Sequence, residues 1–251
     1  MLRLRFSILT AAFAGLASVI ILVAPARAEI ITAWDFSPIV SGGNWGNSPM
    51  TATTRSPNAN DLVDGLTRGW TVGSGTSAAA AWGGNNFSIT ATTEAAAIAA
   101  NNFATFSMAA DPGYTLSLSD IAAYNIRHSA TGPSTGIWQY KVDGGLFTDI
   151  GSAISWGSVT TAAGNPEPAI SLSGISDLQN IAAGTTVTLR CVTWGATNVG
   201  GTWYLNDPSK TTALDLAVNG TVAVVPEPSA LIVLAMGGLC LLPFARRKER
   251  V

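Results

Sequence analysis

Apolar residues are concentrated in two runs, one near each end of the chain, at residues 6–23 and 230–244. The segment between them is rich in Ala, Gly, Ser, Thr and Asn, and only 11% of all residues are charged, against about 25% in a typical soluble domain. Two isolated runs exclude a polytopic membrane protein, whose apolar spans recur along the chain. The low charge content excludes a coiled coil and a charged disordered chain. The sequence therefore predicts one folded domain between two terminal apolar segments.

The N-terminus has the organisation of a secretory signal peptide. Two arginines within the first five residues precede the apolar run 6–23, and small residues follow at Ala26 and Ala28. This order predicts cleavage between Ala28 and Glu29, so that residues 1–28 form the signal peptide. The alternative is an uncleaved membrane anchor.

The second apolar run is preceded by Val225-Pro226-Glu227-Pro228 and followed by a basic tail, residues 245–251. Residues 229–244 would form a transmembrane helix of roughly 24 Å, shorter than the ~30 Å hydrocarbon core. Arg246, Arg247 and Lys248 are expected to stay cytoplasmic, because positive charges beside a membrane helix remain on that side. The prolines fix φ and remove N–H donors, which keeps the motif extended and accessible to a processing enzyme.

The order and spacing of motif, short helix and arginine cluster resemble the PEP-CTERM sorting signal of Gram-negative bacteria, a tail also catalogued as an ice-binding-protein C-terminal domain. The resemblance covers residues 225–251. It implies transient recognition by an exosortase, a membrane cysteine protease, and processing near Pro226-Glu227-Pro228. It also implies export through the inner membrane, a membrane-anchored intermediate, and final release to the cell surface or extracellular matrix of an exopolysaccharide-producing, biofilm-forming bacterium. An ordinary anchor that is never processed is the alternative.

The same tripeptide occurs a second time, in Asn165-Pro166-Glu167-Pro168. A polar segment, residues 169–177, follows this copy, and no apolar run comes after it. We therefore expect the internal copy to be a loop without a sorting role.

Charge is distributed unevenly along the chain. Residues 29–224 contain six basic and thirteen acidic residues, a net charge of −7, because the other seven of the thirteen basic residues lie in the terminal segments. A protein that binds nucleic acid neutralises phosphates with a basic surface. Nucleic acid is therefore excluded as a partner.

Residues 29–224 alternate apolar and polar residues over short segments, as half-buried strands do. Strands are predicted around Tyr114–Leu118, Trp138–Val142, Leu214–Val218 and 185–194, and also over 31–36, 87–91, 103–108, 121–128 and 202–205. Asp143-Gly144-Gly145 predicts a hairpin turn, since its residues tolerate positive φ. A short helix is predicted over 94–100, capped by Thr92 or Thr93. The expected fold class is all-β: a single jelly-roll-like β-sandwich domain, 29–224, flanked by the signal-peptide helix and the transmembrane helix.

No catalytic motif is recognisable in this domain. His128 is the only histidine and lies between Arg127 and Ser129, and no pair of carboxylates falls in a glycosidase signature. Cys191 shares one strand face with Val187 and Leu189, which favours a core position, and Cys240 lies in the C-terminal apolar run. We predict neither an enzyme nor a cofactor.

Calcium is a candidate ligand, because four aspartates occupy loop-like segments, namely Asp61, Asp64, Asp111 and Asp207. Asp61-Leu62-Val63-Asp64 lacks the alternating oxygen ligands of a calcium loop, however. The sequence alone therefore predicts no metal site.

Four tryptophans precede a glycine, at Trp45, Trp82, Trp156 and Trp194. A glycine beside an indole can leave a face open for a sugar ring, so these four are candidate contacts to exopolysaccharide. Trp194 is the strongest candidate, because alternation places it opposite Leu189 and Cys191. Trp34, Trp138 and Tyr140 fit the core instead.

These observations favour a non-catalytic exported protein of the envelope or extracellular matrix, with a structural or adhesive β-sandwich. The alternative is a carbohydrate-binding module that contacts exopolysaccharide through exposed aromatics. A third possibility is a secreted enzyme with an unrecognised site.

Overall fold

The alternating segments form antiparallel strands in the computed structural model, which describes residues 27–42, 45–59 and 65–225. The strands are β1 (Arg27–Trp34), β2 (Thr54–Arg55), β3 (Thr67–Arg68), β4 (Ala81–Gly84), β5 (Phe103–Met108), β6 (Tyr114–Ile121), β7 (Tyr124–His128), β8 (Thr135–Val142), β9 (Thr148–Ser155), β10 (Asn165–Glu167), β11 (Ile170–Ser171), β12 (Ile181–Ala182), β13 (Val187–Trp194), β14 (Trp203–Asn206) and β15 (Leu216–Val224). One short α-helix, α1 (Glu94–Ala99), and one 3₁₀ turn (Ser176–Leu178) complete the described elements. The predicted all-β class is confirmed.

The strands form three antiparallel sheets. The first sheet has the order β11-β6-β15-β1-β2, with β12 also paired to β6, the second has β10-β7-β14-β4, and the third has β3-β5-β13-β8-β9. The first and last strands, β1 and β15, are neighbours: Arg27 lies opposite Val222 at one end, and Trp34 lies opposite Leu216 at the other. The two ends of the domain are therefore joined within one sheet.

The three sheets share one hydrophobic core, which a chain of aromatic contacts crosses. Trp34 of the first sheet meets Phe106 of the third edge-on at 4.8 Å between ring centroids, and Phe106 meets Trp138 at 6.2 Å. Trp138 then packs against Tyr124 of the second sheet at 5.9 Å and donates an indole hydrogen bond to its hydroxyl at 3.0 Å. Trp34 and Trp138 are fully buried and Tyr140 is nearly so, which confirms their predicted core positions.

Two local predictions are confirmed. The hairpin between β8 and β9 turns at Asp143, which has a φ of 49°. Helix α1 begins after Thr93, whose hydroxyl accepts a hydrogen bond from the amide of Ala96 at 3.3 Å. The turn and the cap both depend on local side-chain chemistry, which the sequence shows directly.

Three local predictions are wrong. Residues 87–91 form a loop rather than a strand, and Phe87 is buried because it packs against Trp70 at 4.6 Å. Residues 121–128 are two strands instead of one, because the chain leaves the first sheet after Ile121 and enters the second at Tyr124. Asn165–Glu167, expected as a loop, is strand β10. It lies at the edge of the second sheet, where the missing N–H of Pro166 interrupts no internal ladder.

Within the described residues, no helix has the length and apolar character needed to cross a membrane. The predicted signal peptide up to Ala26 and the predicted tail from Pro226 onward lie outside the described residues.

Candidate metal centre

Three aspartates meet where β1, β14 and β15 join their loops. Asp35 directly follows β1, Asp207 directly follows β14, and Asp215 directly precedes β15. One carboxylate oxygen from each residue lies within 4.8 Å of the other two. Antiparallel pairing of β1 with β15 brings Asp35 and Asp215 to the same end of the first sheet, and β14 brings Asp207 from the second. The cluster therefore bridges two sheets.

Asp207 is the most buried member, with 1% of its surface exposed. Its Oδ1 accepts hydrogen bonds from the Ser209 amide at 2.8 Å, the Ser209 hydroxyl at 2.8 Å and the Lys210 amide at 2.7 Å. Its Oδ2 is buried and has no hydrogen-bond partner. Three donors thus hold the carboxylate in place through one oxygen while the other oxygen stays unpartnered.

The other two carboxylates are also held by backbone amides. Asp35, 7% exposed, accepts a hydrogen bond from the Ser37 amide at 2.7 Å, and Asp215 accepts one from the Phe36 amide at 2.7 Å. The cluster is therefore preformed by local turns and by the pairing of the two strands.

Burial raises the pKa of Asp215 to about 7, and the charges of Asp207 and Asp35 add to that increase. The hydrogen bond from the Phe36 amide acts in the opposite direction. Carboxylate oxygens are the donors that hard cations such as Ca²⁺ and Mg²⁺ prefer, and the cluster contains neither imidazole nor thiolate. Its chemistry is thus that of an oxygen-donor cation site.

Sequence reasoning identified only one member of this cluster. Asp207 is part of it, Asp111 is not, and Asp61 and Asp64 lie outside the described residues. Asp35 and Asp215 were missed because each flanks a strand 180 residues from the other in sequence. The sequence does show that Asp35 lies in one predicted strand and that Asp215 lies in another. It does not show that these two strands pair, so it gave no reason to place the two aspartates together.

The glycine-flanked tryptophans are mostly core residues. Trp82 and Trp156 are fully buried, Trp45 is 7% exposed, and only Trp194 is half-buried. The indole N–H groups of the three buried residues donate to Asn47 O, Thr193 Oγ1 and Gly73 O respectively. Buried rings leave no face for a sugar, so the interpretation of these three as ligand contacts is corrected.

The glycines beside these tryptophans were expected to leave an indole face open. In the structure they are needed by the backbone instead. A Cβ on Gly83 would lie 2.0 Å from the Trp203 carbonyl oxygen of the neighbouring strand, and Gly157 has a φ of +75°. These glycines allow close strand approach and tight turns, and they open no ring face. Trp194 packs against a small hydrophobic cluster that consists of Ala91, Ala97, Ile137 and Val192.

Cys191 and His128, the residues that could act as a nucleophile and a base, both have structural surroundings. His128 is 6% exposed, and its ring nitrogens lie 2.9 Å from the Ser129 carbonyl oxygen and 3.1 Å from that of Gly157. Cys191 is fully buried, and burial raises the pKa of its thiol, which keeps it protonated. Both side chains are therefore buried.

A second group of carboxylates lies on the third sheet. The Gln139 amide donates to Glu94 and to Asp149, both at 2.6 Å, while its carbonyl oxygen accepts from Arg190 at 2.6 Å. The Arg190 guanidinium lies 3.5 Å above the Phe147 ring. Burial and the nearby Asp149 raise the pKa of Glu94, and Arg190 opposes this increase. These hydrogen bonds connect helix α1 with β8, β9 and β13.

Of the predicted processing residues, Ala28 and Glu29 lie in β1, and the Val225 amide donates to the Gly113 carbonyl oxygen at 2.8 Å. The others, Ala26, Pro226, Glu227, Pro228, Arg246, Arg247 and Lys248, are outside the described residues. Comparison of the chain with protein-family models, with curated proteins and with solved structures found no match.

Proposed function

We propose that this chain is an exported, non-catalytic protein of the envelope or extracellular matrix of a Gram-negative bacterium. An exosortase sorts and processes it at its PEP-CTERM tail, and a jelly-roll-like β-sandwich, residues 29–224, acts as a structural or adhesive module. The observation that supports this most is the pairing of Arg27 with Val222. Because paired strands lie about 5 Å apart, the signal peptide and the tail leave the domain side by side, at one end of one sheet.

This arrangement lets both segments be removed without opening the core. Cleavage before Glu29 takes only the first two residues of β1, and Ile30–Trp34 keep their pairing with β15. At the other end, β15 ends at Val224, one residue before the proposed motif, and Val225 still bonds to Gly113. Processing at residues 226–228 would therefore release a domain that is already folded.

The non-catalytic part of the proposal is supported by the roles of the reactive side chains. His128 and Cys191 are buried, and the carboxylates Glu94 and Asp149 each accept a hydrogen bond from Gln139. Each of these groups contributes to the fold of the described residues.

Replacement of Pro226, Glu227 and Pro228 by alanine tests the sorting proposal in cells of an exosortase-containing Gram-negative host. The variant should stay in the membrane fraction with an intact tail, whereas the wild-type protein should appear at the cell surface or in the medium with a lower mass. The matched control is Pro166→Ala with Pro168→Ala, which changes the exposed prolines of the internal copy. Release of the tail variant with wild-type mass would overturn the proposal.

The carbohydrate-binding alternative now depends on Trp194, since the other three candidates are buried. It is tested with the purified protein and the exopolysaccharide of the producing bacterium in an affinity gel. A structural module should migrate in the same way with and without the Trp194→Ala substitution. A retardation that Trp194→Ala abolishes would favour the carbohydrate-binding module.

A further inference from the structure

We propose that Asp35, Asp207 and Asp215 bind a calcium ion, which joins the loop between β14 and β15 to the end of β1. This inference is independent of the sorting proposal, because it concerns the opposite end of β1 and β15 from the one where the terminal segments leave. It rests on the position of the three carboxylates and on the buried, unpartnered oxygen of Asp207.

The first argument is the unpartnered oxygen itself. A buried carboxylate oxygen without a partner costs several kcal/mol in general, and native proteins therefore pair such atoms with protein, water or metal. Asp207 cannot easily turn away, since three donors from Ser209 and Lys210 hold its Oδ1. Its Oδ2 stays buried with no donor supplied by the described residues.

The second argument is charge. Asp35, Asp207 and Asp215 bring three carboxylates within 4.8 Å, and the charges that act on Asp215 are those of its two acidic neighbours. Lys210, the nearest basic residue in sequence, contributes its backbone amide, and its side chain is exposed. A divalent cation would neutralise this repulsion in a way that the described side chains do not.

The third argument is the kind of cation. Calcium takes six to eight oxygen ligands at about 2.3–2.6 Å, so two ligands of one ion lie at most roughly 5 Å apart. The separation of 4.8 Å or less between the aspartate oxygens fits this limit. Calcium also tolerates irregular geometry and fills its remaining positions with waters and carbonyl groups, whereas magnesium requires a near-ideal octahedron and zinc prefers nitrogen and sulfur.

Such an ion would have a defined structural effect. Residues 207–215 form the last connection of the domain, between the second and first sheets, and the ion would fasten both ends of this loop to β1. The loop contains no strand or helix, and residues 208–213 are exposed. Calcium would thus hold an exposed connection between the two sheets.

The test uses the full chain, purified in mild detergent and stripped with a chelator. Calorimetric titration with calcium chloride should show one site per chain, and saturating calcium should raise the melting temperature by about 5–10 °C at a hundredfold excess over Kd. Asp215→Asn should weaken calcium binding by at least about tenfold and remove most of the thermal shift. The matched control, Asp177→Asn, alters an exposed aspartate that is not part of the cluster and should bind as the wild type does.

Asp215→Asn is chosen because the amide oxygen can still accept the hydrogen bond from Phe36, so the variant is expected to fold. Asp207→Asn serves as a second variant. The absence of binding heat together with the same melting temperature in calcium and in chelator would overturn the proposal, as would wild-type affinity in both variants. Magnesium binding that equals or exceeds calcium binding would overturn the identity of the ion.

Discussion

The carboxylate of Asp215 accepts a 2.7 Å hydrogen bond from the backbone amide of Phe36, a residue 179 positions earlier in the chain. The amide of Asp215 donates in turn to the carbonyl oxygen of Trp34 at 2.8 Å. These two bonds connect the end of β1 to the beginning of β15. They also bring Asp215 beside Asp35, so the same contacts that join the first and last strands build the aspartate cluster.

The hydrogen bond from Phe36 predicts different effects for two substitutions at Asp215. Asp215→Ala removes the acceptor and leaves the Phe36 amide unpaired, whereas Asp215→Asn keeps an acceptor oxygen. Both remove the repulsion from Asp207 and Asp35, so the difference between them isolates the hydrogen bond. We expect the alanine variant to be less stable than the asparagine variant by about 1–2 kcal/mol, measured by denaturant unfolding in chelator. Equal stabilities would contradict this role for the bond.

Gly136 in β8 lies against Trp156, and a Cβ there would lie 2.0 Å from the indole ring and 2.6 Å from the Val192 carbonyl oxygen. Gly136→Ala should therefore overpack the core and lower the free energy of unfolding by at least about 1–3 kcal/mol. The matched control is Gly144→Ala, because a Cβ on Gly144 meets nothing within 4 Å. Thermal unfolding of both variants measures the contrast, and equal melting temperatures would show that the core adapts at Gly136.

Glu167 predicts a pH dependence of stability. It is 7% exposed, and burial raises the pKa of its carboxyl group, so the folded protein holds this proton more tightly than the unfolded chain does. The contribution of Glu167 to stability therefore falls as the pH rises through the unfolded pKa, and stays low above the folded pKa. Above the folded pKa, each unit by which the folded pKa of Glu167 exceeds its unfolded pKa lowers the free energy of unfolding by about 1.4 kcal/mol.

Glu167→Gln should be as stable as the wild type at about pH 4 and more stable than the wild type at about pH 8. Thermal unfolding across that range measures the difference between the two proteins. Pro166→Ala changes the neighbouring residue of the same strand without altering charge and should show no such trend. A constant difference between Glu167→Gln and the wild type would contradict the prediction.

Cys191 should be unreactive in the folded protein. It is fully buried, and burial raises the pKa of its thiol, so reaction with a maleimide requires unfolding. We expect labelling at Cys191 to be at least about a thousandfold slower in native buffer than in guanidinium chloride, given ordinary domain stability. Mass spectrometry of the labelled peptides separates Cys191 from Cys240. Rapid native labelling at Cys191 would show that the centre of β13 opens readily.

The sequence predicted elements well where local chemistry decides them. The cap at Thr93, the turn at Asp143 and the alternation in β6 depend on neighbouring residues alone. It failed where tertiary packing overrides the pattern. Phe87 lies in a loop and is buried because its ring packs against Trp70. Asn165–Glu167 pairs as an edge strand because β7 offers a free edge.

The tryptophans show that the prediction of binding residues from sequence fails for the same reason. A Trp-Gly pair looks like an exposed ring beside a small residue, yet Gly83 and Gly157 are required by the backbone, and Trp82 and Trp156 fill the core. Sequence spacing does not say on which side of a sheet a neighbouring sheet will pack. The burial of these rings is therefore a property of the assembled sheets.

By itself, the sequence determined the all-β class, the acidic character of residues 29–224 and the expectation of two terminal targeting segments, because these depend on composition and on short-range order. Only the tertiary structure decided which aspartates meet. Asp35, Asp207 and Asp215 are brought together by the pairing of β1 with β15 and by the arrival of β14 from another sheet. Contacts between residues so far apart in sequence arise from strand order and register, which a local pattern does not encode.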